Sequence, residues 1–287
     1  MTDLIIDGNG FFAHAYYSAV KHGRDPVKVA MKSIVKMIRN DESYFSRHID
    51  RLLFCWDGAP KTAKHRPTPK PEDYHPKLAD FSTRLTPLTG SAQVMLDDHE
   101  ADDVVASASE QTKADHVVVV SSDKDLSQLQ CDRVSFYDVH SKMLLTRRVI
   151  CERWHVHHPI QVAIALAIIG DIGDGIKGVH KWGEGKVKKL FSTIPRETPF
   201  DQVIEIIVSQ MNDEQQAQFL ECLSVTLLDT TIEGVPEPAP VALDDTEARK
   251  IEREMAMPWA ASDKTSQNIN EFDRWMRGEK VTGSSTG

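Results

Sequence analysis

Three short apolar runs, 4–6 (LII), 52–56 (LLFCW) and 117–120 (VVVV), each lead into an aspartate, and this repeated junction limits the folds open to the chain. Runs of this length are too short for core helices and read as strands buried on both faces. Helical periodicity separates them, most plainly over 27–40 (VKVAMKSIVKMIRN) and 102–112 (DDVVASASEQT). Strands alternating with helices predict an α/β domain: a mostly parallel central sheet, flanked by helices and joined by right-handed crossovers. In such a sheet the carboxyl ends of the strands form one rim, where ligands bind. The strands then deliver Asp7, Asp57, Asp123 and Asp125 to that rim.

Further acids arrive at helix ends. Residues 95–109 (MLDDHEADDVVASAS) hold five acids between 97 and 103, among them Glu100, Asp102 and Asp103 where the second helical pattern starts. The positive end of a helix dipole tolerates carboxylates there. A helix expected over 159–170 ends at Gly170, and the GDIGD that begins there adds Asp171 and Asp174. Crowded carboxylates repel, by about 4 kcal/mol per pair at ~4 Å and an effective dielectric of ~20. Hard divalent cations, Mg²⁺ or Mn²⁺, are the charges that belong between oxygen ligands of this kind. Few histidines lie near and no cysteines are paired in spacing, which disfavours zinc. Two such ions ~4 Å apart activate a water and stabilise the leaving oxygen in phosphodiester hydrolysis.

For any single aspartate the plainer reading, a strand-end cap or turn residue, is the stronger. Three consecutive strand ends and an acid cluster are poorly explained that way. Dinucleotide binding fares worse, because DGNG (7–10) lacks the third glycine of the fingerprint and Asp7 would repel a pyrophosphate. An aspartyl phosphatase would want a second aspartate two residues on, where Asn9 stands.

The net charge of −9 argues against a nucleic-acid partner only if the charges are evenly mixed. They are segregated. Residues 177–189 (KGVHKWGEGKVKK) carry five lysines and one glutamate, and 61–77 carry four lysines and an arginine against two acids. Pro60, Pro67, Pro69, Pro71 and Pro76 interrupt any helix in that second stretch, so about 60–95 is expected to form a mobile loop or arch on the strand-end side. The four cysteines show no pairing pattern, the N-terminus has no basic start before a long apolar core, and VAIALAII (162–169) is too short to span a membrane. Those features suggest a reduced, cytoplasmic protein with no membrane partner. The expected division is an acid-rimmed core over 1–158, a helical subdomain with a basic, glycine-punctuated turn and following helices over 159–233, and a linker and charged tail over 234–287, with a charged helix near 244–257.

Taken in order, LIIDGNGFFAHAYYS, HEADDVVAS, VVVVSSDKDLSQL and GDIGDGIKGVHKWGEGKVKKLF resemble the motifs of the flap endonuclease / 5′-to-3′ exonuclease family, over roughly residues 3–192. That family includes phage exonucleases and the N-terminal nuclease domain of bacterial DNA polymerase I. The resemblance implies a PIN-like core, with Asp7, Asp57, Glu100 and Asp102 as ligands of a first metal. It implies Asp123, Asp125 and Asp171 as ligands of a second, with Asp102 between the two and Asp103 and Asp174 assisting. It reads GVHKWGEGK (178–186) as a helix-hairpin-helix gripping duplex DNA, in which Gly178, Gly183 and Gly185 let backbone amides approach a phosphate. Lys181, Lys186, Lys188 and Lys189 would add salt-dependent attraction, and a K⁺ ion in the hairpin is common in the family.

Two departures stand out. Family members usually carry an arginine facing phosphate seven residues after the first aspartate, where this chain has His14, a residue that titrates near neutrality. The basic cluster of the arch is compressed to AKHRP, leaving Lys64 and Arg66 to orient the scissile phosphate. The resemblance thus implies a two-metal 5′ nuclease leaving 5′-phosphate products from DNA with a free 5′ end or flap; a length with no room for a polymerase domain suggests a free-standing nuclease, of phage replication or recombination. A helix-hairpin-helix DNA-binding protein without catalysis and a PIN-like ribonuclease are the rival readings.

Overall fold

The computed structural model describes residues 1–39, 45, 48–58 and 70–256. All six residues of β1 (Thr2–Asp7) are buried, which places it at the centre of the sheet. Around it run β2 (Arg51–Trp56), β3 (Ala92–Met95), β4 (His116–Ser121), β5 (Val134–Asp138), β6 (Met143–Leu145) and β7 (Ala239–Pro240). The order is β3-β2-β1-β4-β5-β6, with β7 paired to β2. β1 to β5 pair in parallel, whereas β6 and β7 are antiparallel to their neighbours. The three strands expected from apolar runs are β1, β2 and β4. β3 and β5 lie outside that trio and carry polar residues, as in AQVM and VSFYD, while β6 (MLL) and β7 (AP) are only three and two residues long and partly exposed.

Alternate side chains go to opposite faces, as a two-residue period requires. Leu4, Ile6, Leu52, Phe54, Val118 and Val120 share one core with Phe12, Ile34, Phe81 and Ile251, which come from α1 (Gly8–Lys21), α2 (Pro26–Arg39), α3 (Tyr74–Thr89) and α10 (Asp245–Ala256). Ile5, Leu53, Cys55, Val117 and Val119 face the other way, against Val104 and Val105 of α4 (Ala101–Gln111). A third core belongs to α5 (Arg147–Trp154), α6 (Val162–Ile169), α7 (Glu184–Phe191), α8 (Phe200–Val208) and α9 (Asp213–Thr226). α6 is apolar on every side, and its residues 162–168 are all buried, so it is the central helix of this group.

Three expectations are corrected. Much of the supposed arch is regular structure: α3 and β3 lie within it, because Pro76 falls in the first turn of α3, where its missing N–H breaks no bond. Part of the supposed linker and tail is core: β7 pairs with Arg51 and Leu52 of β2, and Ala248 and Ile251 of α10 are buried. The helical group also starts before 159, since Ile150 of α5 packs into it. Lys64 and Arg66 lie outside the described residues. No helix among the described residues is long and apolar enough to cross a membrane.

The two rims of the sheet differ in their electrostatics. At the amino end Asp3 is fully buried, but Arg51 meets it with paired bonds, Nε to Oδ1 at 2.8 Å and Nη2 to Oδ2 at 2.7 Å. That acid is neutralised within the fold. The carboxyl rim is crowded differently.

Candidate metal centre and nucleic-acid interface

β1 is flanked by β2 and β4, and the chain reverses its direction of strand addition between β1 and β4. The carboxyl ends at that switch point form the crevice where open α/β sheets bind ligands. Asp7 closes β1 and caps α1, with Oδ1 accepting from Gly10 N at 2.8 Å. Its Oδ2 accepts from Ser121 Oγ, at the end of β4, at 2.6 Å. A Cβ on Gly10 would lie 2.1 Å from Asp7 Oδ2, so only glycine lets the helix start this close to the carboxylate. Asp57 follows β2; its Oδ1 accepts from Ala101 N at 2.9 Å and so draws the start of α4 to the rim. Glu100 is the N-cap of that helix, and Asp102 and Asp103 stand in its first turn. Asp103 Oδ1 accepts from Asp229 N at 2.9 Å, tying α4 to the chain after α9.

Beyond β4 the backbone turns on its own acids: Asp123 N donates to Ser121 Oγ at 2.8 Å and Asp125 N to Asp123 Oδ1 at 2.9 Å. Asp171 leaves α6 and accepts from Gly173 N at 2.9 Å and from Lys124 Nζ. Lys124 Nζ also stands 3.9 Å from Asp125 Oδ1, a buried oxygen with no hydrogen-bond partner among the described residues.

Burial pushes the Asp7 carboxyl up to about 6, with the charges of Asp57 and Asp123 adding to the rise against the bonds from Ser121 and Gly10. Burial, then the Asp123 charge, raises Asp125 well above the carboxylate range, with Asp174 and Asp171 contributing. At Asp171 burial acts in the same direction, but the Lys124 ammonium outweighs it and holds that carboxyl low. Asp123 therefore acts on both buried acids, Asp7 and Asp125. Among the described residues no three Asp, Glu, His or Cys side chains converge at metal-ligand spacing as they stand. The donor set nevertheless suits a hard divalent cation: it is all oxygen, it includes a buried orphan oxygen at Asp125, and an ammonium already lies between Asp125 and Asp171.

Sequence reasoning missed Ser121, Asn9 and Lys124. Asn9 Oδ1 accepts from Asp57 N at 3.0 Å, joining the ends of β1 and β2. Lys124 was legible as the cation inside DKD; Ser121 and Asn9 look like ordinary turn residues until the strands are aligned.

His14 departs from expectation. Its Nδ1 meets His140 Nδ1 at 3.0 Å, and burial, with His140 and Lys142 adding, pushes it down to about 4. It is neutral at physiological pH and carries no charge toward a phosphate.

Gly170, with φ of 85°, ends α6, and the loop to α7 folds back so that Val179 N donates to Ile168 O at 3.0 Å. Gly178 is buried in that fold-back with φ of 71°, and an added Cβ would lie 2.7 Å from Gly170 N and Ile168 O. It serves internal packing and is not open to a phosphate, which corrects the expectation. Gly178→Ala is expected to cost more than about 2 kcal/mol, through positive φ and backbone overlap. That corresponds to a melting temperature lower by roughly 4–8 °C; a variant melting within a degree of wild type would contradict this. Gly183 caps α7 and, with Gly185, has open space where a Cβ would stand. Lys181, Lys188 and Lys189 are exposed, while Lys186 Nζ lies 4.2 Å from the centre of the Trp182 ring.

Residues 2–155 match the family model described as 5′-3′ exonuclease, N-terminal resolvase-like domain. The thermostable DNA polymerase I of Thermus aquaticus is 28% identical over 205 residues, 65% of this chain and 23% of the polymerase. The 5′-3′ exonuclease of Buchnera aphidicola subsp. Acyrthosiphon pisum is 24% identical over 191 residues, 63% of this chain and 66% of that protein. These matches thus span less than two thirds of either relative's length. Among solved structures, T5 5′-exonuclease with bound zinc superposes with a TM-score of 0.62 at 17% identity, covering 80% of this chain and 90% of that one. This likeness is one of fold.

Proposed function

The chain belongs to the 5′-3′ exonuclease family, and from that membership we propose that it is a divalent-metal-dependent 5′ nuclease hydrolysing DNA phosphodiesters at a free 5′ end or flap. The observation that carries the reading is the position of Asp123, which acts electrostatically on Asp7 at one strand end and on Asp125 beyond another. Carboxylates from separate elements thus share one field, as a site for two cations requires.

Asp7, Asp57, Glu100 and Asp102 would hold one ion and Asp123, Asp125 and Asp171 the other, with Asp103 and Asp174 supporting. Bound Mg²⁺ ions supply an acidified water and a counter-charge for the departing 3′ oxygen, and Mn²⁺ suits the same oxygen donors. The chain's own part is to fix these acids. Ser121 and Gly10 N hold both oxygens of Asp7, Ala101 N holds Asp57, and Gly173 N with Lys124 holds Asp171. Gly183 and Gly185 leave room for a backbone phosphate at the start of α7, and K⁺ at that hairpin would add to the grip. Contacts to phosphate carry little sequence information, so cleavage is expected to depend on structure more than sequence.

The test is a 5′-labelled duplex with a single-stranded 5′ flap, beside the same strand as RNA, with Mg²⁺ and with EDTA. Mg²⁺-dependent release of 5′-phosphate DNA fragments is expected, with RNA spared. Binding without cleavage under every metal condition would overturn the enzyme reading, and preferential RNA cleavage would overturn the DNA assignment. Activity at subsaturating protein is expected to fall by ten-fold or more between 50 and 200 mM salt, as phosphate contacts dictate. A flat salt profile would count against the phosphate grip.

A further inference from the structure

Away from the acid rim, a cavity of about 740 Å³ opens between α5 and α7. Arg147, Arg148, Lys188 and Arg196 line it against one carboxylate, Glu152. In a chain with net charge −9 this is a reversal of sign, and a concave site concentrates the field of the charges around it. The cations are available. Arg148 and Glu152 are 3.8 Å apart and both exposed, a pair that holds neither firmly. Among the described residues Lys188 and Arg196 take part in no ion pair.

One wall is built rather than incidental. Arg147 Nη2 donates to His158 Nδ1, and His158 Nε2 donates to Arg196 O at 2.8 Å. Beside it His157 Nε2 donates to Ile194 O at 2.9 Å. Each imidazole is thereby held as the Nε2–H tautomer, and together they staple residues 194–196 to the end of α5. Arg147 and Arg196 also both act on the thiol of Cys151, a half-buried residue of α5 that lines the cavity, so their charges converge.

Position selects the ligand. Lys188 stands five residues after Gly183 on one helix, about 7.5 Å along its axis. The helix whose start is read as the phosphate grip thus also carries one of the cations of this cavity. We propose that the cavity binds a backbone phosphate of the duplex gripped at the hairpin, with Arg148, Lys188 and Arg196 as its contacts, making a second anchor point. The proposal rests on the DNA-binding reading above; a free nucleotide offers the same chemical group and is separated from it by experiment.

The experiment measures equilibrium binding of a fluorescent duplex in EDTA, where no cleavage occurs, together with calorimetric binding of dAMP. Arg148→Ala/Arg196→Ala is expected to weaken duplex binding about ten-fold and to lower the slope of log K against log salt by one to two. Lys188→Ala should act in the same direction. Lys113→Ala/Lys250→Ala removes as much charge away from the cavity and should leave affinity unchanged. Unaltered melting temperatures confirm that each variant is folded.

Duplex binding unchanged in the cavity variants would overturn the proposal, as would dAMP binding lost with duplex binding intact, which makes the ligand a free nucleotide. Equal losses in the Lys113/Lys250 control would reduce the effect to net charge and also overturn it. If wild type binds no duplex at all, the DNA-binding reading fails and the backbone-phosphate proposal falls with it. Wild type that binds while only the cavity variants do not lose affinity leaves that reading standing and removes this one.

Discussion

Asp123→Asn is expected to abolish Mg²⁺-dependent cleavage of 5′-flap DNA, by on the order of 10³-fold or more. Charge stabilisation at such a centre is worth several kcal/mol in the transition state, and each 1.36 kcal/mol is ten-fold in rate. Asp123 is the acid that faces both Asp7 and Asp125, and its Oδ1 holds the backbone N–H of Asp125. Asparagine keeps that acceptor, so the turn should fold as before while the shared charge is lost. DNA binding in EDTA should be unchanged, because the phosphate grip lies elsewhere. The family resemblance places Asp102 between the ions, so Asp102→Asn is the partner variant. If Asp123→Asn retains a tenth or more of wild-type cleavage while Asp102→Asn is inactive, the bridging position belongs to Asp102.

The second large effect concerns stability, and its sign is opposite to that of most changes at buried sites. Burial and neighbouring carboxylates lift Asp7 from the ordinary 3.8 to about 6. The folded protein therefore holds a proton that the unfolded chain gives up at lower pH. Stability from this group is full below about pH 4 and lost as pH rises through about 6. Above that the ionised carboxylate costs the metal-free fold roughly 3 kcal/mol. Asp7→Asn keeps the cap on α1, since the amide oxygen can accept from Gly10 N, and removes the charge. In EDTA at pH 8 the variant is expected to melt about 5–10 °C above wild type, and the gap should close by pH 4. Mg²⁺ should raise the melting temperature of wild type, by binding the folded state, and leave the variant nearly unmoved. Thermal melts across pH, with and without metal, decide this; a variant melting at or below wild type at pH 8 in EDTA would refute the assignment of cost to Asp7.

Both effects arise because folding brings like charges together with only partial internal relief. Asp3 shows the alternative. It is as deeply buried, but Arg51 meets both its oxygens, and it belongs to the structure alone. The acids at the opposite rim have Lys124 at one corner, and among the described residues Asp125 Oδ1 finds no hydrogen-bond partner. A buried carboxylate oxygen left without a donor marks a place that an external cation fits.

What the amino-acid sequence determined by itself was the local and periodic part. Short continuous apolar runs and helical runs of period 3.6 define β1, β2, β4, α2, α4 and α6, and each of those strands ends at its aspartate or within two residues of it. Because parallel strands share a direction, those ends had to fall on one rim, and the acids with them. The rest depends on which elements pack against which, and is legible only once the chain is folded. Pairing to β2 makes core of a segment that reads as linker, and enclosure beside His140 turns His14 from a titrating cation into a neutral ring. Gly178 is demanded by the end of α6 lying against it, which no spacing along the chain announces. The action of Asp123 on Asp7 as well as on its neighbour Asp125, and the lining of one cavity by Arg147 and Arg148 together with Lys188 and Arg196, come from separate stretches of chain brought close enough for their charges to interact.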